Sequence, residues 1–567
     1  MTAAPATPAT RRAADILVDC LVAHGTDRLF CVPGESYLAV LDALHERRDI
    51  QTIVCRHEGG AGLMAVADAK LTNQPGIAFV SRGPGATNAS IAVHLAEQDA
   101  VPLILFIGQV PRHEIGRGAF QEVDYAKTFA DMAKMVATVD DPARLPEVIA
   151  RAYACAQSPT PGPVVIVLPE DMLEDMTSAA LIAPMPLPRI GAGPSLLIDA
   201  VRDLIAKAER PLLVAGGGLA HDEGRKALLA ASEILGLPVA LTFKRQELFP
   251  NTHPHYAGHL GFKIPKAQVD LYANADLVLA VGTRLGEVPT QGYTFPQAPT
   301  PKQPLIHVVD DARHLSRNFR TELPILADPT AFLKSLAGLA RRKRVAGDEK
   351  RPEGPREAWT KMLHHFVSSR RKWTPPKDGA FDMGAVIAAL DGKAADDCIF
   401  ITDAGNFSGW LHKHWAFNGR QLAIGSVGGA MGLAMPAAVA AGLRMPQRQV
   451  ITFIGDGGAL MTGSELATAV QYGVGVKVFI ANNGTYGTIR MHQEKAYKHR
   501  VNGTALTNPD FAKWADSFGA KGLTIRTLAE APKIVAEALA HNGPVVVDCI
   551  IPAEHIAPGM TIADLTR

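Results

Sequence analysis

The sequence lacks several features that would place it in a specialised class of protein. Its 567 residues include only six cysteines, and no two of them form a C-x-x-C pair, so no disulfide framework, zinc finger or dithiol motif is predicted. The net charge of +1 argues against a nucleic-acid or anionic-membrane partner. No apolar run approaches the roughly 20 residues that cross a bilayer, and no secretory signal pattern opens the chain. We therefore expect a cytoplasmic globular protein with reduced cysteines.

Short apolar runs rich in Val and Ile recur along the chain, separated by stretches of helical character. Because the runs lack polar alternation, they are typical of parallel strands covered by helices on both faces. The clearest runs are 77–80, 102–107, 164–168, 212–215, 277–281, 399–402, 450–454, 476–481 and 545–551. This pattern predicts an α/β protein made of doubly wound parallel-sheet domains.

The length requires several domains, because single cores rarely exceed about 300 residues. Residues 180–195 are rich in proline and glycine, and residues 341–378 are rich in Arg, Lys, Glu and Pro, as in connectors. We interpret the second stretch as a solvated connector, helical in part around Ala358–Val367. Three domains are thus predicted, at 1–180, 195–340 and 378–567, and the first and third are similar in size and texture.

The third segment carries the strongest ligand-binding pattern. The apolar run Val450–Ile454 leads into Gly-Asp-Gly-Gly, and the next apolar run leads to Asn483. One helix and one return strand fit between Asp456 and Asn483, so both should lie at carboxyl ends of neighbouring parallel strands, where α/β sheets bind ligands. Their oxygens suit Mg²⁺, and the glycines allow backbone N–H groups to approach a diphosphate. Thr462 and Glu465 have the spacing of a capping box, which predicts a helix start there.

Gly-Asp-Gly followed at this spacing by Asn-Asn resembles the thiamine diphosphate motif. The resemblance implies that Asp456 and Asn483 bind Mg²⁺ through their side chains, and that the backbone carbonyl of Thr485 is a third ligand. It implies further cofactor contacts from three residues of the same region: Gly457, Gly458 and Ile489.

A second element of this resemblance lies in the first segment, where a short strand leads into Arg56-His57-Glu58. By itself, Glu58 could simply be a carboxylate at a helix start. In thiamine diphosphate enzymes an Arg/Lys-His-Glu segment supplies the glutamate that hydrogen-bonds the aminopyrimidine of the cofactor. The resemblance therefore implies a catalytic Glu58 that reaches the cofactor from the other subunit, and a homo-oligomer with at least two subunits.

Further matches extend over nearly the whole chain and point to the acetolactate synthase family. Ala119-Phe120-Gln121-Glu122 resembles a segment of that family whose phenylalanine and glutamine line the active site, which implies catalytic roles for Phe120 and Gln121. Ser81–Asn88 is similar to the Gly-Pro-Gly-x-x-Asn turn of the family. The remaining cofactor contacts that the resemblance implies, including a methionine that supports the bent cofactor, are Gly34, Gly405, Asn406, Gly429 and Met431.

The family resemblance implies conversion of two pyruvates to 2-acetolactate and CO₂, but this chain departs from the biosynthetic pattern. Gly405-Asn406-Phe407 replaces Gly-Gln-His, and His492 replaces a tryptophan that favours 2-oxobutanoate as acceptor. The donor, the acceptor, the role of His492 and any regulatory subunit stay open. The alternatives are a thiamine-dependent decarboxylase, a 2-oxo acid oxidase or an acyl-CoA lyase. A non-catalytic paralogue is disfavoured, because Glu58 and the metal ligands are retained.

The central segment leaves a flavin cofactor open. Gly216–Gly218, Thr242 and Gly282–Arg284 fall where the family binds FAD, with Arg284 as the implied contact to flavin or substrate. However, bulky Lys244–Glu247 replaces a small-residue segment of the family. A dinucleotide-dependent dehydrogenase is disfavoured, because the first segment has no Gly-x-Gly-x-x-Gly after a strand.

Overall fold

The computed structural model describes residues 9–262, 264–344 and 354–566. It contains three six-stranded, fully parallel sheets, one within each predicted segment. The predicted class, α/β with three doubly wound domains, is confirmed. None of the described helices is both long enough and apolar enough to cross a membrane.

The first domain has the strand order β3-β2-β4-β5-β7-β6, and a two-stranded antiparallel pair, β1 with β8, closes it. Strands β4, β5 and β7 are buried along their whole length. The elements are β1 (Arg11–Arg12), α1 (Ala13–Ala23), β2 (Arg28–Cys31), α2 (Leu38–Leu44), β3 (Gln51–Val54), α3 (Glu58–Thr72), β4 (Gly76–Val80), α4 (Gly83–Asp99), β5 (Leu103–Gln109), α5 (Tyr125–Phe129), β6 (Met135–Thr138), α6 (Leu145–Gln157), β7 (Pro163–Pro169), α7 (Glu170–Glu174) and β8 (Met176–Thr177).

The central domain has the strand order β11-β10-β9-β12-β13-β14. Part of the predicted solvated connector belongs to it, because Trp359 and Leu363 are buried in its core and Trp359 Nε1 donates to the carbonyl of Pro211. The elements are α8 (Ser195–Lys207), β9 (Pro211–Ala215), α9 (Asp222–Leu235), β10 (Val239–Thr242), β11 (Tyr256–Leu260), α10 (Lys266–Tyr272), β12 (Leu277–Val281), β13 (Leu305–Val309), β14 (Leu323–Leu326), α11 (Pro329–Arg344) and α12 (Pro355–Ser368).

The third domain has the strand order β16-β15-β17-β18-β20-β19, and a small antiparallel pair, β21 with β22, lies near its end. The elements are α13 (Met383–Leu390), β15 (Ile399–Thr402), α14 (Ser408–His414), β16 (Leu422–Gly425), α15 (Ala434–Arg444), β17 (Val450–Gly455), α16 (Asp456–Thr462), α17 (Leu466–Gln471), β18 (Lys477–Asn482), α18 (Gly487–Ala496), α19 (Phe511–Ser517), β19 (Lys521–Ile525), α20 (Ala531–Ala540), β20 (Val545–Ile550), β21 (His555–Ala557), β22 (Met560–Thr561) and α21 (Ile562–Thr566).

The first and third sheets share one topology. Numbered within its own domain, each has the strand order 2-1-3-4-6-5, whereas the central sheet has the order 3-2-1-4-5-6. In such sheets the connections diverge beside the first strand, and ligands bind there, beyond the carboxyl ends of the strands. These switch points lie between β2 and β4, between β9 and β12, and between β15 and β17. Several sequence segments singled out above follow these strands, whereas Glu58 and Asn483 follow the neighbouring strands β3 and β18.

The first and third domains pack against each other through helices made largely of small residues. Helix α3 is buried from Gly59 to Ala69, helix α15 is buried from Ala434 to Ala441, and both belong to one hydrophobic cluster. At the end of α15, Arg444 forms paired hydrogen bonds of 2.7–2.9 Å with both Asp27 and Asp68 of the first domain. The small side chains let the helices approach closely, and the arginine fixes their register.

We expect Arg444→Ala to lower the free energy of unfolding by about 2–4 kcal/mol, because it leaves the buried Asp68 carboxylate without its main partner. Arg444 holds the pKa of Asp27 below its ordinary value through a side-chain hydrogen bond. That contribution is full above the unfolded carboxyl pKa of about 3.9 and is lost as the pH falls below it. The difference between the urea midpoints of wild type and variant should therefore become smaller in acid.

The matched control is Arg420→Ala, which removes an exposed ion pair with Asp396. Exposed pairs contribute at most about 1 kcal/mol. Equal midpoint shifts for the two variants would contradict the assigned role of Arg444.

Candidate active site

Asp456 is the centre of the predicted metal site. It begins α16 directly after β17 and is only 4% exposed. Its Oδ1 accepts a hydrogen bond from the Gly457 N–H at 2.9 Å, and its Oδ2 accepts from the Gly484 N–H and from Asn508 Nδ2, both at 2.8 Å. Burial raises the pKa of Asp456, and these three donors oppose the rise. The carboxylate is thus oriented but carries no basic partner among the described ion pairs.

Asn483 and Thr485 lie in the loop after β18, the strand that pairs in parallel with β17. The Thr485 N–H donates to Asn483 Oδ1 at 3.2 Å, and the Thr485 hydroxyl donates to the carbonyl of Thr504 at 3.0 Å. Together with Asp456, this loop offers carboxylate, amide and carbonyl oxygens at one sheet edge. Such a hard-oxygen set fits Mg²⁺, and a cation there would offset the cost of burying the carboxylate.

The predicted capping-box hydrogen bonds between Thr462 and Glu465 are absent. Helix α16 begins earlier, at Asp456, and a short 3-10 turn, Gly463–Glu465, starts after its last residue, Thr462, without a side-chain cap. The Thr462 hydroxyl donates to the carbonyl of Gly432 at 2.7 Å. Glu465 instead accepts hydrogen bonds from the backbone N–H groups of Arg56 and His57 at 3.0 and 3.1 Å. A local spacing rule gave the wrong partner, because a contact between domains competes for the carboxylate.

Two glycines at the start of α16 allow close approach to their neighbours. A β-carbon at Gly457 would lie 2.5 Å from the Tyr486 ring, and one at Gly458 would overlap the Asp403 carboxylate. Asp403 is fully buried, and burial raises its pKa to about 6. Its Oδ2 accepts from the Gly432 N–H at 2.8 Å. Asp403 therefore fixes the turn before α15 against the start of α16.

The other third-domain predictions lie around the same sheet edge. Gly405 has φ +153°, and the Asn406 N–H donates to Thr488 Oγ1 at 3.1 Å, which joins this turn to α18. On α18, Ile489 is 52% exposed, and His492 is also exposed. In the turn before α15, Gly429 has φ +74° and is exposed, whereas Met431 is half-buried. These residues belong to the turns after β15 and β16 and to helix α18, which follows β18.

A second group of predicted residues lies in the first domain. Glu58 begins α3, and its Oε2 accepts a hydrogen bond from Asn88 Nδ2 of α4 at 2.9 Å. A β-carbon at Gly85 would come within 3.4 Å of Glu58 Oε1 and 2.8 Å of Ser81 Oγ, and one at Gly34 would lie 2.5 Å from the β-carbon of Ser81. The two predicted glycine-containing loops thus meet beside Glu58.

Gln121 and Phe120 lie at the border of this group. Gln121 adopts φ +65°, and its Oε1 accepts from Arg82 Nε at 3.3 Å. Arg82 is held in turn by Glu170 through an ion pair of 2.8 Å. Phe120 is 76% exposed. The structure therefore orients the glutamine and leaves most of the phenylalanine side chain exposed.

The described chain keeps these two groups apart. None of its side-chain hydrogen bonds or ion pairs joins Glu58 or Gln121 to Asp456 or Asn483. Sequence reasoning did not assign roles to Asp403 or Asn508, and it gave Glu465 only a local capping role. Asp403 could have been found by the rule that selected Asp456, since it directly follows a predicted strand. Asn508 is 25 residues beyond Asn483 in a loop, and only the fold brings it to the Asp456 carboxylate.

The two residue groups lie in segments that match known protein families. Three family models match in order: the thiamine pyrophosphate enzyme N-terminal binding domain at residues 11–128, the central domain at 198–336 and the C-terminal binding domain at 403–549. The chain belongs to the thiamine pyrophosphate enzyme family. Thiamine pyrophosphate is the thiamine diphosphate of the motif above, and each of the two residue groups lies in one of its binding domains.

Relatives of this thiamine pyrophosphate enzyme match along most of its length. The acetolactate synthase large subunit of Parasynechococcus marenigrum is 33% identical over 95% of this chain and 88% of the relative. The acetolactate synthase of Mycobacterium bovis is 31% identical over 95% and 88%. The acetolactate synthase large subunit of Lactococcus lactis is 29% identical over 96% and 93%.

In this thiamine pyrophosphate enzyme, the central-domain residues do not fit a flavin. The guanidinium of Arg245 lies over Gly217, with Nε 3.3 Å from a β-carbon built there, and Glu247 beside it is 2% exposed. Arg284 donates to the carbonyl of Gln98 in α4 of the first domain. The predicted flavin contact therefore has a partner in the protein, and the Arg245 guanidinium lies beside the turn where the family resemblance would place the nucleotide.

We expect Asn508→Ala to weaken Mg²⁺ binding about 10- to 100-fold, because residues that orient metal ligands have effects of this size. The variant removes the side-chain donor that holds Asp456 Oδ2. The measurement is the Mg²⁺ dependence of thiamine diphosphate binding, followed by intrinsic fluorescence. Asn542→Ala, in an exposed turn before β20, is the control. An unchanged Mg²⁺ requirement in Asn508→Ala would rule out this positioning role.

Proposed function

We propose that this enzyme uses thiamine diphosphate and Mg²⁺ to decarboxylate a 2-oxo acid and to join the product to a second 2-oxo acid, forming 2-acetolactate and CO₂ from two pyruvates. The observation that carries the proposal is the pair of residue groups: an oxygen-rich loop pair around Asp456 and Asn483, and a carboxylate, Glu58, beside the switch point of a sheet with the same topology. The relatives named acetolactate synthase support the reaction class.

Each group has a distinct task in this proposal. When bound, thiamine diphosphate supplies the carbon nucleophile and the electron sink for decarboxylation. Asp456, Asn483 and the Thr485 carbonyl would hold Mg²⁺ and with it the diphosphate. Glu58 would exchange a proton with the aminopyrimidine through its Oε1, because Asn88 already donates to its Oε2. Gln121 and Phe120 line the space for the 2-oxo acid.

We propose that two copies of the chain complete each site, with Glu58 of one copy facing Asp456 of the other. Large apolar side chains beside both groups support this arrangement. Phe120 in the first domain and Leu460, Met461 and Ile489 in the third are 48–76% exposed. A partner copy would cover them, and an isologous dimer would then contain two equivalent sites.

Mixing two inactive variants tests the shared site. Glu58→Gln and Asp456→Asn homodimers should each be inactive. After reassortment, a mixed dimer has one site with both substitutions and one intact site, so about a quarter of wild-type activity should return in a random mixture of isologous dimers. A site built within one chain would give no recovery at any mixing ratio. Mixing each variant with itself is the control.

The carboxylate at Glu58 is tested separately. Glu58→Gln should lower the rate of CO₂ release from pyruvate about 100-fold or more, because it removes the proton-transfer group, while Mg²⁺-dependent binding of thiamine diphosphate persists. Glu46→Gln, on the exposed surface of the same domain, is the matched control. Retention of wild-type turnover in Glu58→Gln would refute the catalytic assignment.

A second outcome is a sister reaction on the same cofactor. Asn406 and the exposed His492 differ from the biosynthetic pattern, and both lie on the turn and helix joined by the Asn406–Thr488 hydrogen bond. Product analysis separates the cases: acetolactate supports carboligation, free aldehyde indicates a decarboxylase, acetate with peroxide indicates an oxidase, and turnover only with acyl-CoA indicates a lyase.

The cytoplasmic location stays a prediction, and the six free thiols are those a reducing compartment would maintain.

A further inference from the structure

The segment Lys244–Glu247 belongs to the central domain, and its first side chain, Lys244, reaches the third domain. It follows β10 of the central sheet, and Lys244 adopts φ +55°, a conformation that costs energy for a residue with a β-carbon. The turn directs the side chain to β15, where its Nζ donates to Thr402 Oγ1 at 3.2 Å and to the carbonyl of Asp403 at 3.0 Å. Lys244 thus bridges two domains at the end of the strand that leads into Gly405 and Asn406.

The Lys244 contact is tightly enclosed. Lys244 is 5% exposed, and burial lowers its pKa to about 8. A β-carbon at Gly425 would lie 2.5 Å from Lys244 Cδ, so the stem of the side chain needs this glycine. The cavity beside it, lined in part by Gln246 and His412, holds about 10 Å³, no more than one water molecule. A buried ammonium group requires hydrogen-bond partners, so Lys244 makes a specific contact between the two domains and is not a solvated surface charge.

Arg245 and Glu247 lie on the other side of the same turn, beside the glycine-rich turns that follow β9 and β12. Arg245 lies over Gly217 with a 3.9 Å ion pair to the buried Glu247. The neighbouring glycines are needed for backbone contact: the Gly218 N–H donates to the carbonyl of Gly282 at 2.8 Å, and a β-carbon at Gly218 would lie 3.0 Å from Gly282 Cα. The two glycine-rich turns therefore pack on each other, and the charged groups that lie beside them are the side chains of Arg245 and Glu247.

We propose that Lys244–Glu247 takes the place of a nucleotide in the central domain. Arg245 and Glu247 occupy the space beside Gly217 with charged side chains, so neither FAD nor another nucleotide binds there. Lys244 is a positioning residue that holds the end of β15, and through it the Gly405–Asn406 turn, in the geometry that receives thiamine diphosphate. The role of Lys244 rests on the proposed function of that turn, whereas the exclusion of a nucleotide does not.

The first test uses the wild-type holoenzyme. Its visible absorption spectrum should show no flavin band, and titration with FAD or with ADP should show no saturable binding. Flavin co-purifying in stoichiometric amount would overturn the proposal, as would saturable binding of either nucleotide.

The second test measures thiamine diphosphate binding in the presence of Mg²⁺ by intrinsic fluorescence. Lys244→Met should raise the Kd about 10-fold, the lower range for residues that support cofactor ligands, and Thr402→Val should shift it in the same direction. The matched control is Lys477→Met. Lys477 is also a buried lysine of low pKa, about 8 because of burial, and it donates to the carbonyls of His541 and Gly543 at 2.5 and 2.8 Å.

The control separates positioning from stability. Lys477 lies at the start of β18, opposite the site, so Lys477→Met should lower the unfolding midpoint and leave the Kd unchanged. A wild-type Kd in both Lys244→Met and Thr402→Val, or an equal rise in Lys477→Met, would overturn the positioning role. Neither readout depends on turnover of pyruvate, so failure to form acetolactate would affect only the proposed function.

Discussion

The contact between α3 and α15 is the constraint on which the rest of the arrangement depends. Both helices are built from small residues, so their backbones approach closely, and the hydrophobic cluster between them includes strands of both outer sheets. Arg444 closes one end of this contact. At the other end, Glu465 accepts from the backbone at Arg56 and His57, directly before Glu58. The position of the proposed catalytic carboxylate is thus set by the third domain of its own chain.

Much of the architecture could be predicted because central parallel strands are recognisable in a single sequence. Runs such as Val164–Leu168, Leu277–Val281 and Val450–Ile454 are buried on both faces and coincide with observed strands to within a residue or two. The strands that the apolar runs did not indicate include β6, β14, β16 and β19. These four lie at sheet edges, and most of their residues are partly exposed, so their composition carries little signal.

Some residues of the candidate site could likewise be predicted from the sequence and others could not. Asp456 and Asn483 follow the two strands of one strand–helix–strand unit, so local topology was enough to bring them together. The partners Asn508 and Asp403 depend on how distant loops meet over the sheet edge. Glu465 was misinterpreted because its local partner was plausible and its true partners are about 400 residues away in the sequence. Lys244 was noted for its bulk, but its target in β15 could not be inferred without the packing of two domains.

The separate core of the central domain has a consequence for the modularity of the chain. Its apolar residues form two clusters of their own, whereas the outer domains share one large cluster in addition to a separate large one in each. Neither outer domain could be excised without exposing a face of alanine and glycine, so the pair should persist as one unit of inheritance. The central domain meets them mainly through polar side chains such as Lys244 and Arg284. Its ligand could therefore be gained, lost or replaced by side chains over evolutionary time while the outer pair, and the chemistry proposed for it, stayed the same.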